Sequence, residues 1–438
     1  MNRLMDSELL ITHASQLITL AGPARPRTAN EMRDLSLIED GAILVRDGVL
    51  VAVGTSSDTA GQAEARVRVI DASGCVVMPG YVDAHTHPVF AGTREDEYEM
   101  RAAGVTYQDI AARGGGILST VRKTRSAAEQ ELFELALPRV GWFLSHGTTT
   151  IEAKSGYGLT LADELKILRV IRRLGEETPL DLVPTFLGAH EIPAEFRKSG
   201  RPDKTRDDYI RLVTDEMLPA VAEEGLASFC DIFCESHVFT AEESRNVLSC
   251  ARRLGLGVRL HAEQLSLCGG SRLASELGAA TADHLEYIDE AGIECLRAAS
   301  VIAVLLPGAV FNLGLHRYAP ARKLIEASVA VVLATDFNPG SSPTPSMQMI
   351  HSIACTQMGM TPAECIVAST INAAYSLRLG EQIGSLEPGK QADIVILDCP
   401  DYRQIPYFFG VNHVRAVVKR GEVVAGSEAG SSSGGCQG

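Results

Sequence analysis

Eight short apolar runs constrain the fold of this chain more than any other feature; they lie at 78–84, 147–152, 181–187, 229–234, 256–261, 279–284, 301–306 and 329–335. Segments between them carry apolar residues at helical spacing, as in Ala127–Leu144, Leu161–Leu174, Asp207–Glu224 and Ala241–Leu254. Ser126 and Thr240 stand where helix N-caps belong. Strand and helix alternating eight times predict an α/β fold, a parallel (β/α)8 TIM-like barrel with its active site at the C-terminal ends of the strands. A doubly wound sheet is the alternative, but no GxGxxG follows the first strand.

The two ends of the chain differ from this middle. Residues 7–20 alternate as a strand, and Ile43–Val45 and Val49–Val53 flank an Asp47-Gly48 hairpin turn. Val67–Ile70 and Cys75–Val77 add short strands, and Ile394–Leu397, Val414–Val418 and Glu422–Val424 repeat the pattern at the far end. Together they predict a small β-sandwich domain built from both ends, over 1–77 and 380–428, beside a barrel over 78–379. The Gly- and Ser-rich stretch 429–438 is expected to be a disordered tail.

Polar residues cluster where a barrel would put chemistry. His85 and His87 end the first run, one residue apart; on a strand they share a face, roughly 6–7 Å apart at the Cα, which suits two imidazoles on one ion. Lys154-Ser-Gly-Tyr157 follows the second run, His190-Glu191 the third and Cys234-Glu-Ser-His237 the fourth. His261 ends the fifth, Asp283-His284 the sixth and Asp336 follows the eighth. His85, His87, His261 and Asp336 supply three imidazoles and a carboxylate, a donor set suited to zinc or iron with room for water. A two-metal site bridged by a carbamylated lysine is disfavoured, because the fourth run, Phe229–Cys234, has no lysine. Lys154 reads as a surface or salt-bridging residue, and one ion is expected.

Composition narrows the partners. A net charge of −15 with no Lys/Arg-rich run argues against nucleic acid and anionic membranes, while an anionic small molecule could still bind at a local arginine. Ten cysteines scattered from Cys75 to Cys436, with no CxxC pair, read as reduced thiols in the cytoplasm. Neither a signal peptide nor a membrane-spanning window is evident.

Taken together, the HxH pair, the later histidines and aspartate and the split β domain resemble the amidohydrolase superfamily of metallo-dependent hydrolases. The likeness is carried further by His85-Thr-His-Pro-Val-Phe-Ala-Gly-Thr-Arg94, Arg113-Gly-Gly-Gly-Ile117, Lys154-Ser-Gly-Tyr-Gly-Leu159, Gly188-Ala-His-Glu191, His261-Ala-Glu-Gln264, Asp283-His-Leu-Glu286 and Asp336-Phe-Asn-Pro-Gly-Ser341. They are similar to the superfamily branch that opens the cyclic amide of 4-imidazolone-5-propanoate to N-formimidoyl-L-glutamate in histidine degradation. The resemblance implies one zinc or iron ion on His85, His87, His261 and Asp336, with Asp336, His284 and Gln264 in catalytic roles. It places Arg94, Tyr157, His190, Gln264, Asn338, Gly340 and Ser341 on the substrate, and it implies a homodimer. Many relatives carry Glu at the place of Gln264, and a neutral amide cannot transfer protons as a carboxylate does. Aminohydrolases of purines and cytosine depend on HxxE there, so HxxQ argues against a nucleobase deaminase.

Plainer roles stand beside several of these. Arg94 has Glu95 and Glu97 as candidate ion-pair partners, and Glu191 is a candidate to set the tautomer of His190. Tyr157, between two glycines, reads as an exposed phenol at the site. Glu235 and His237 are candidates to support the ligands, and His316 and Arg317 to line the mouth. Gly114–Gly116 lacks the lysine of a phosphate loop and reads as a lid or backbone contact. Two rivals remain at this point: an amidohydrolase acting on another ring, such as a hydantoin or nucleobase, and a barrel that holds metal without catalysis.

Overall fold

The computed structural model describes residues 8–105, 109, 114–197 and 204–426. Arg113 and the tail 429–438 lie outside the described residues. The chain divides into two compact units. One takes the described residues of Met1–Asp83, Trp142–Thr150 and Ser346–Gly438, and the other Ala84–Gly141 and Ile151–Pro345.

Strands from both ends build one mixed sheet. In chain order these are β1 (Glu8–Ile18), β2 (Leu37–Arg46), β3 (Val49–Thr55), β4 (Arg68–Asp71) and β5 (Val76–Pro79). The barrel strands follow as β6 (Tyr81–Asp83), β7 (Thr148–Lys154), β8 (Asp181–Ala189), β9 (Phe229–Cys234), β10 (Gly257–Ala262), β11 (Thr281–His284), β12 (Ile302–Leu305) and β13 (Val331–Leu333). The chain then returns to the first sheet with β14 (Ile394–Leu397), β15 (Val414–Lys419) and β16 (Glu422–Gly426). The mixed sheet runs β16-β15-β14-β5-β1-β2-β3, with β4 pairing β1. Alternation puts Leu9, Ile11, Ile43, Val45, Ile394, Ile396 and Val418 in one buried cluster, and Leu10, Leu44 and Ala52 in a smaller one.

The second sheet runs in chain order from β6 to β13, and from β8 to β13 neighbours pair in parallel. A parallel bridge between Thr86 and Phe337 joins its two ends, with Asp336 N donating to His85 O (3.1 Å) and His87 N to Phe337 O (2.8 Å). The expected (β/α)8 barrel is therefore present. No described helix is long and apolar enough to cross a membrane, and the described cysteines are free thiols.

Three local expectations change. The run at 78–84 is two strands, because the chain breaks at Gly80: Met78 and Pro79 pair with β14 and the barrel strand begins at Tyr81. A Cβ at Gly80 would meet Thr149 Oγ1 at 2.4 Å, so glycine is needed there. Ser126 is not an N-cap; it ends the helix Ile117–Ser126 and its hydroxyl donates back to Arg122 O and Lys123 O. Thr240 does cap its helix, in a capping box with Glu243. The helix expected over Asp207–Glu224 is helical throughout but widens into a π turn at Leu212–Met217, just before Pro219, which has no N–H to give.

A methyl group at Gly41 of β2 would sit 2.3 Å from Leu17 Cβ of β1. Gly41→Ala is expected to lower stability by about 1–3 kcal/mol through overpacking, read from the urea midpoint. An unchanged midpoint would mean that the sheet relaxes without strain.

Candidate metal centre and substrate site

The barrel closure also assembles the site. His85 and His87 follow β6, and Asp336 lies across the seam from them, so the hydrogen bonds that close the sheet set all three side chains. His261 joins them from β10. The donor atoms of His85, His87 and His261 lie within 4.8 Å of one another, all buried. Asp336 Oδ1 is 3.7 Å from both His85 Nε2 and His87 Nε2. His85 Nε2 is buried with no hydrogen-bond partner, a cost of roughly 1–3 kcal/mol in an apolar setting. Three imidazoles converging on one point around an orphaned nitrogen fit a divalent ion.

Burial holds His85 and His87 neutral, well below the ordinary imidazole range, and the Lys154 charge presses His85 further down. Burial lowers His261 as well, against the pull of Asp231. Neutral imidazoles are the form that binds metal. Burial raises the Asp336 carboxyl to about 6, opposed by the charge of His284. His284 itself is pulled down by burial but raised overall by Glu286, whose Oε1 lies 3.7 Å from its Nδ1. Both His284 (φ 78°) and Asp336 (φ 53°) hold left-handed backbone, a strain found mainly where function demands it.

Two carboxylates back the ligands. His85 Nδ1 lies 2.6 Å from Asp283 Oδ2. His261 Nδ1 lies 3.0 Å from Asp231 Oδ2. The contact to Asp283 leaves His85 Nε2 facing the centre. Sequence reasoning gave neither aspartate this role. The available signal was an acidic residue inside the apolar Phe229–Cys234 strand. Lys154, expected at the surface or in a salt bridge, is fully buried and paired with Glu152 and Asp231.

Of the residues expected on the substrate, Tyr157 and His190 lie against His87, Asn338 and Ser341 against Asp336, and Gly340 against Arg94. Tyr157, expected to be exposed, is instead buried, with its ring 5.9 Å from His87 and 5.5 Å from His190. Its loop is held by the buried Glu164 carboxylate, which accepts from the N–H groups of Gly156, Gly158 and Leu159. A Cβ at Gly156 (φ 103°) would lie 2.9 Å from His190 Nδ1, so that glycine lets the two rings meet. His190 stacks on His87 at 5.2 Å, and its Nδ1 donates to Gly156 O at 3.1 Å. The Gly156 carbonyl, and not Glu191, therefore sets its tautomer; burial holds it neutral, at about 3. Glu191 turns to Arg197.

Arg94 gives Nε and Nη2 to Glu97, at 2.9 and 2.6 Å, and lies against Gly340, where a Cβ would be 2.2 Å from its Nη1. Arg139, stacked over Phe90 at 3.5 Å, donates to Pro88 O and Phe90 O and fixes the segment between His87 and Arg94. The Asn338 amide is used within its own loop: it donates to Asp336 O and Ser341 Oγ and accepts from Gly340 N and Ser341 N. Glu263, one residue before Gln264, turns its carboxylate to Ser271. Glu235 accepts from Leu265 N and Ser266 N and so clasps the loop beside Gln264, whereas His237 is exposed. Arg317 donates to Glu286 O and stacks on Tyr287, beside a cavity of about 510 Å³. His261→Ala removes one of the three imidazoles. It is expected to abolish stoichiometric zinc uptake, by elemental analysis, without changing the circular dichroism; a full complement of zinc would remove His261 from the site.

The chain matches the Amidohydrolase family over residues 76–424. It is 56% identical over 419 residues to the imidazolonepropionase of Solibacter usitatus, covering 96% of this chain and 98% of that protein. It is 49% identical over 420 residues to that of Symbiobacterium thermophilum, covering 95% and 97%. Among solved structures, an adenosine deaminase from Xanthomonas campestris with bound zinc superposes with a TM-score of 0.69 at 21% identity, over 95% of this chain and 92% of that one. At that identity the likeness speaks for the fold alone. The chain belongs to the amidohydrolase family, as a member closely related to imidazolonepropionase.

Proposed function

We propose that this chain opens the ring of 4-imidazolone-5-propanoate by hydrolysis of its cyclic amide, giving N-formimidoyl-L-glutamate in histidine degradation. The observation that carries the reading is the buried His85, His87, His261 cluster, in a chain 56% identical to an imidazolonepropionase along nearly its whole length. His85, His87, His261 and Asp336 would hold one ion, zinc or iron. When bound, that ion supplies Lewis acidity, polarising the ring carbonyl and acidifying a water.

The chain's own residues do the rest. Asp336, raised towards neutrality by burial, takes the proton of the attacking water and passes it to the departing ring nitrogen. His284, whose protonated form Glu286 favours, stabilises the negative charge that develops on the carbonyl oxygen. Arg94 takes the propanoate in a two-pronged contact, its fork held ready by Glu97, and so orients the ring. Tyr157 and His190 line the ring, with Gly340 and Ser341 presented by the loop that Asn338 braces. Gln264 offers an amide to the ring. Glu263 cannot stand in for a carboxylate there, because Ser271 holds it, and this weighs against deamination. Catalysis is assigned to the barrel over 78–379, with 1–77 and 380–428 as its companion domain. A homodimer and a cytoplasmic location belong to the same proposal, on the strength of the family resemblance.

The test is turnover of freshly generated 4-imidazolone-5-propanoate by zinc-loaded protein, followed by loss of its absorbance and by product formation; zinc-loaded protein without turnover would overturn the reading. Arg94→Ala is expected to raise KM about 10- to 100-fold while kcat changes little, the value of a charged hydrogen-bonded pair. An unchanged KM would remove the carboxylate contact. Asp336 binds a proton as pH falls through about 6, while His85 and His87 stay neutral far below that. Zinc affinity of the metal-free protein should therefore fall about fivefold from pH 6 to pH 5, by chelator competition. A flat profile would mean that Asp336 is not a ligand.

A further inference from the structure

Beside the three imidazoles lies a set of charges to which no catalytic step is assigned. Glu152, Lys154, Asp231, Arg259 and Asp283 are all fully buried. Lys154 Nζ lies 2.7 Å from Glu152 Oε1, 2.7 Å from Asp231 Oδ2 and 3.9 Å from Asp283 Oδ2. Each of those aspartate oxygens has a second neighbour. Asp231 Oδ2 is the atom 3.0 Å from His261 Nδ1, and Asp283 Oδ2 is the atom 2.6 Å from His85 Nδ1. A single ammonium thus neighbours both carboxylates that back the ligand rings.

Burying a lysine among three carboxylates is a poor route to stability, since apolar side chains of similar volume often serve as well. A carboxylate behind a ligand histidine has a specific use: it fixes the ring's tautomer and rotation. Here the two carboxylates come from β9 and β11, which flank the strand of His261. Arg259 Nη2 adds a second cation 3.8 Å from Asp283 Oδ2, and without Lys154 the like charges of the two aspartates would be less compensated. The backbone of Lys154 adds a third tie, because its N–H donates to Thr86 O at 2.9 Å, between the other two ligands.

We propose that Lys154 is a positioning residue for the metal centre. By bridging Asp231 and Asp283 it sets the rings of His261 and His85 together and so tunes metal affinity, without touching substrate. The inference rests on the reading of His85, His87 and His261 as a metal site.

The test is zinc affinity of the metal-free protein, by competition with a chromophoric chelator. Wild type is compared with Lys154→Met, Asp283→Asn, their double variant and His261→Ala, each checked for fold by circular dichroism. Lys154→Met is expected to weaken zinc about 10- to 100-fold in a folded protein, as loss of a ligand's hydrogen-bonded support does. The double variant is expected to be weaker than either single one but by less than the product of the two losses, because Lys154 acts on His85 through Asp283 and on His261 through Asp231. Wild-type affinity in folded Lys154→Met, or strict additivity in the double variant, overturns the proposal. Should Lys154→Met not fold, Glu152→Gln loosens the other tether of the ammonium and keeps its charge. It should weaken zinc by about threefold or more, and unchanged affinity there is equally fatal. Failure of the metal reading looks different: wild type would bind no zinc and His261→Ala would change nothing, which removes the proposal with it.

Discussion

Closure of the barrel is the constraint on which the rest of this structure depends. A parallel sheet whose first and last strands stayed apart would leave unpaired N–H and C=O groups at both edges. Here the edges meet through Asp336 N to His85 O and His87 N to Phe337 O. Those residues, or their immediate neighbours, are also the candidate metal donors. Backbone satisfaction and site geometry are therefore one event, and the donors cannot be misplaced without opening the sheet.

Around the seam, burial and one neighbouring carboxylate set the charges. Desolvation keeps the metal-facing imidazoles neutral and lifts the Asp336 carboxyl, while Glu286 raises His284 against its burial. Both groups are raised, the Asp336 carboxyl by burial and the His284 ring by Glu286, which puts a base and an acid side by side in one cavity. The substrate loops are as tightly specified. Glu164 spends its carboxylate on three backbone N–H groups beneath Tyr157, and Asn338 spends its amide on the loop after Asp336. Neither offers a free polar group to a ligand; each makes a loop rigid enough for another residue to act.

Much of this was legible in the sequence, and what was not has physical reasons. Alternating periods of two and 3.6 announced the barrel, and His85, His87, His261 and Asp336 stood out because imidazoles and a carboxylate closed apolar runs. Asp231 went unremarked, and Asp283 and Lys154 stood at run ends without a sign of their partners, since the pairing of buried charges from separate strands is a tertiary fact with no local spacing. Glu164 lies in the first turn of the helix Leu161–Glu177, and its reach back to 156–159 depends on how the loop folds. Ser126 misled because a hydroxyl near a helix boundary suits either end: it can cap a beginning or bond back along the last turn. The run at 78–84 misled because one glycine let a continuous apolar stretch serve two sheets.

The seam has a further consequence for how the sheet holds together. An ion gripped from both sides of the closure would act as a rivet between stretches of chain about 250 positions apart, and by mass action it would favour the closed form over any opened one. Stripped of its ion, the molecule would loosen first at the place where its ends of sheet meet, which is also where its chemistry resides. Loss of metal and opening of the sheet would then be linked.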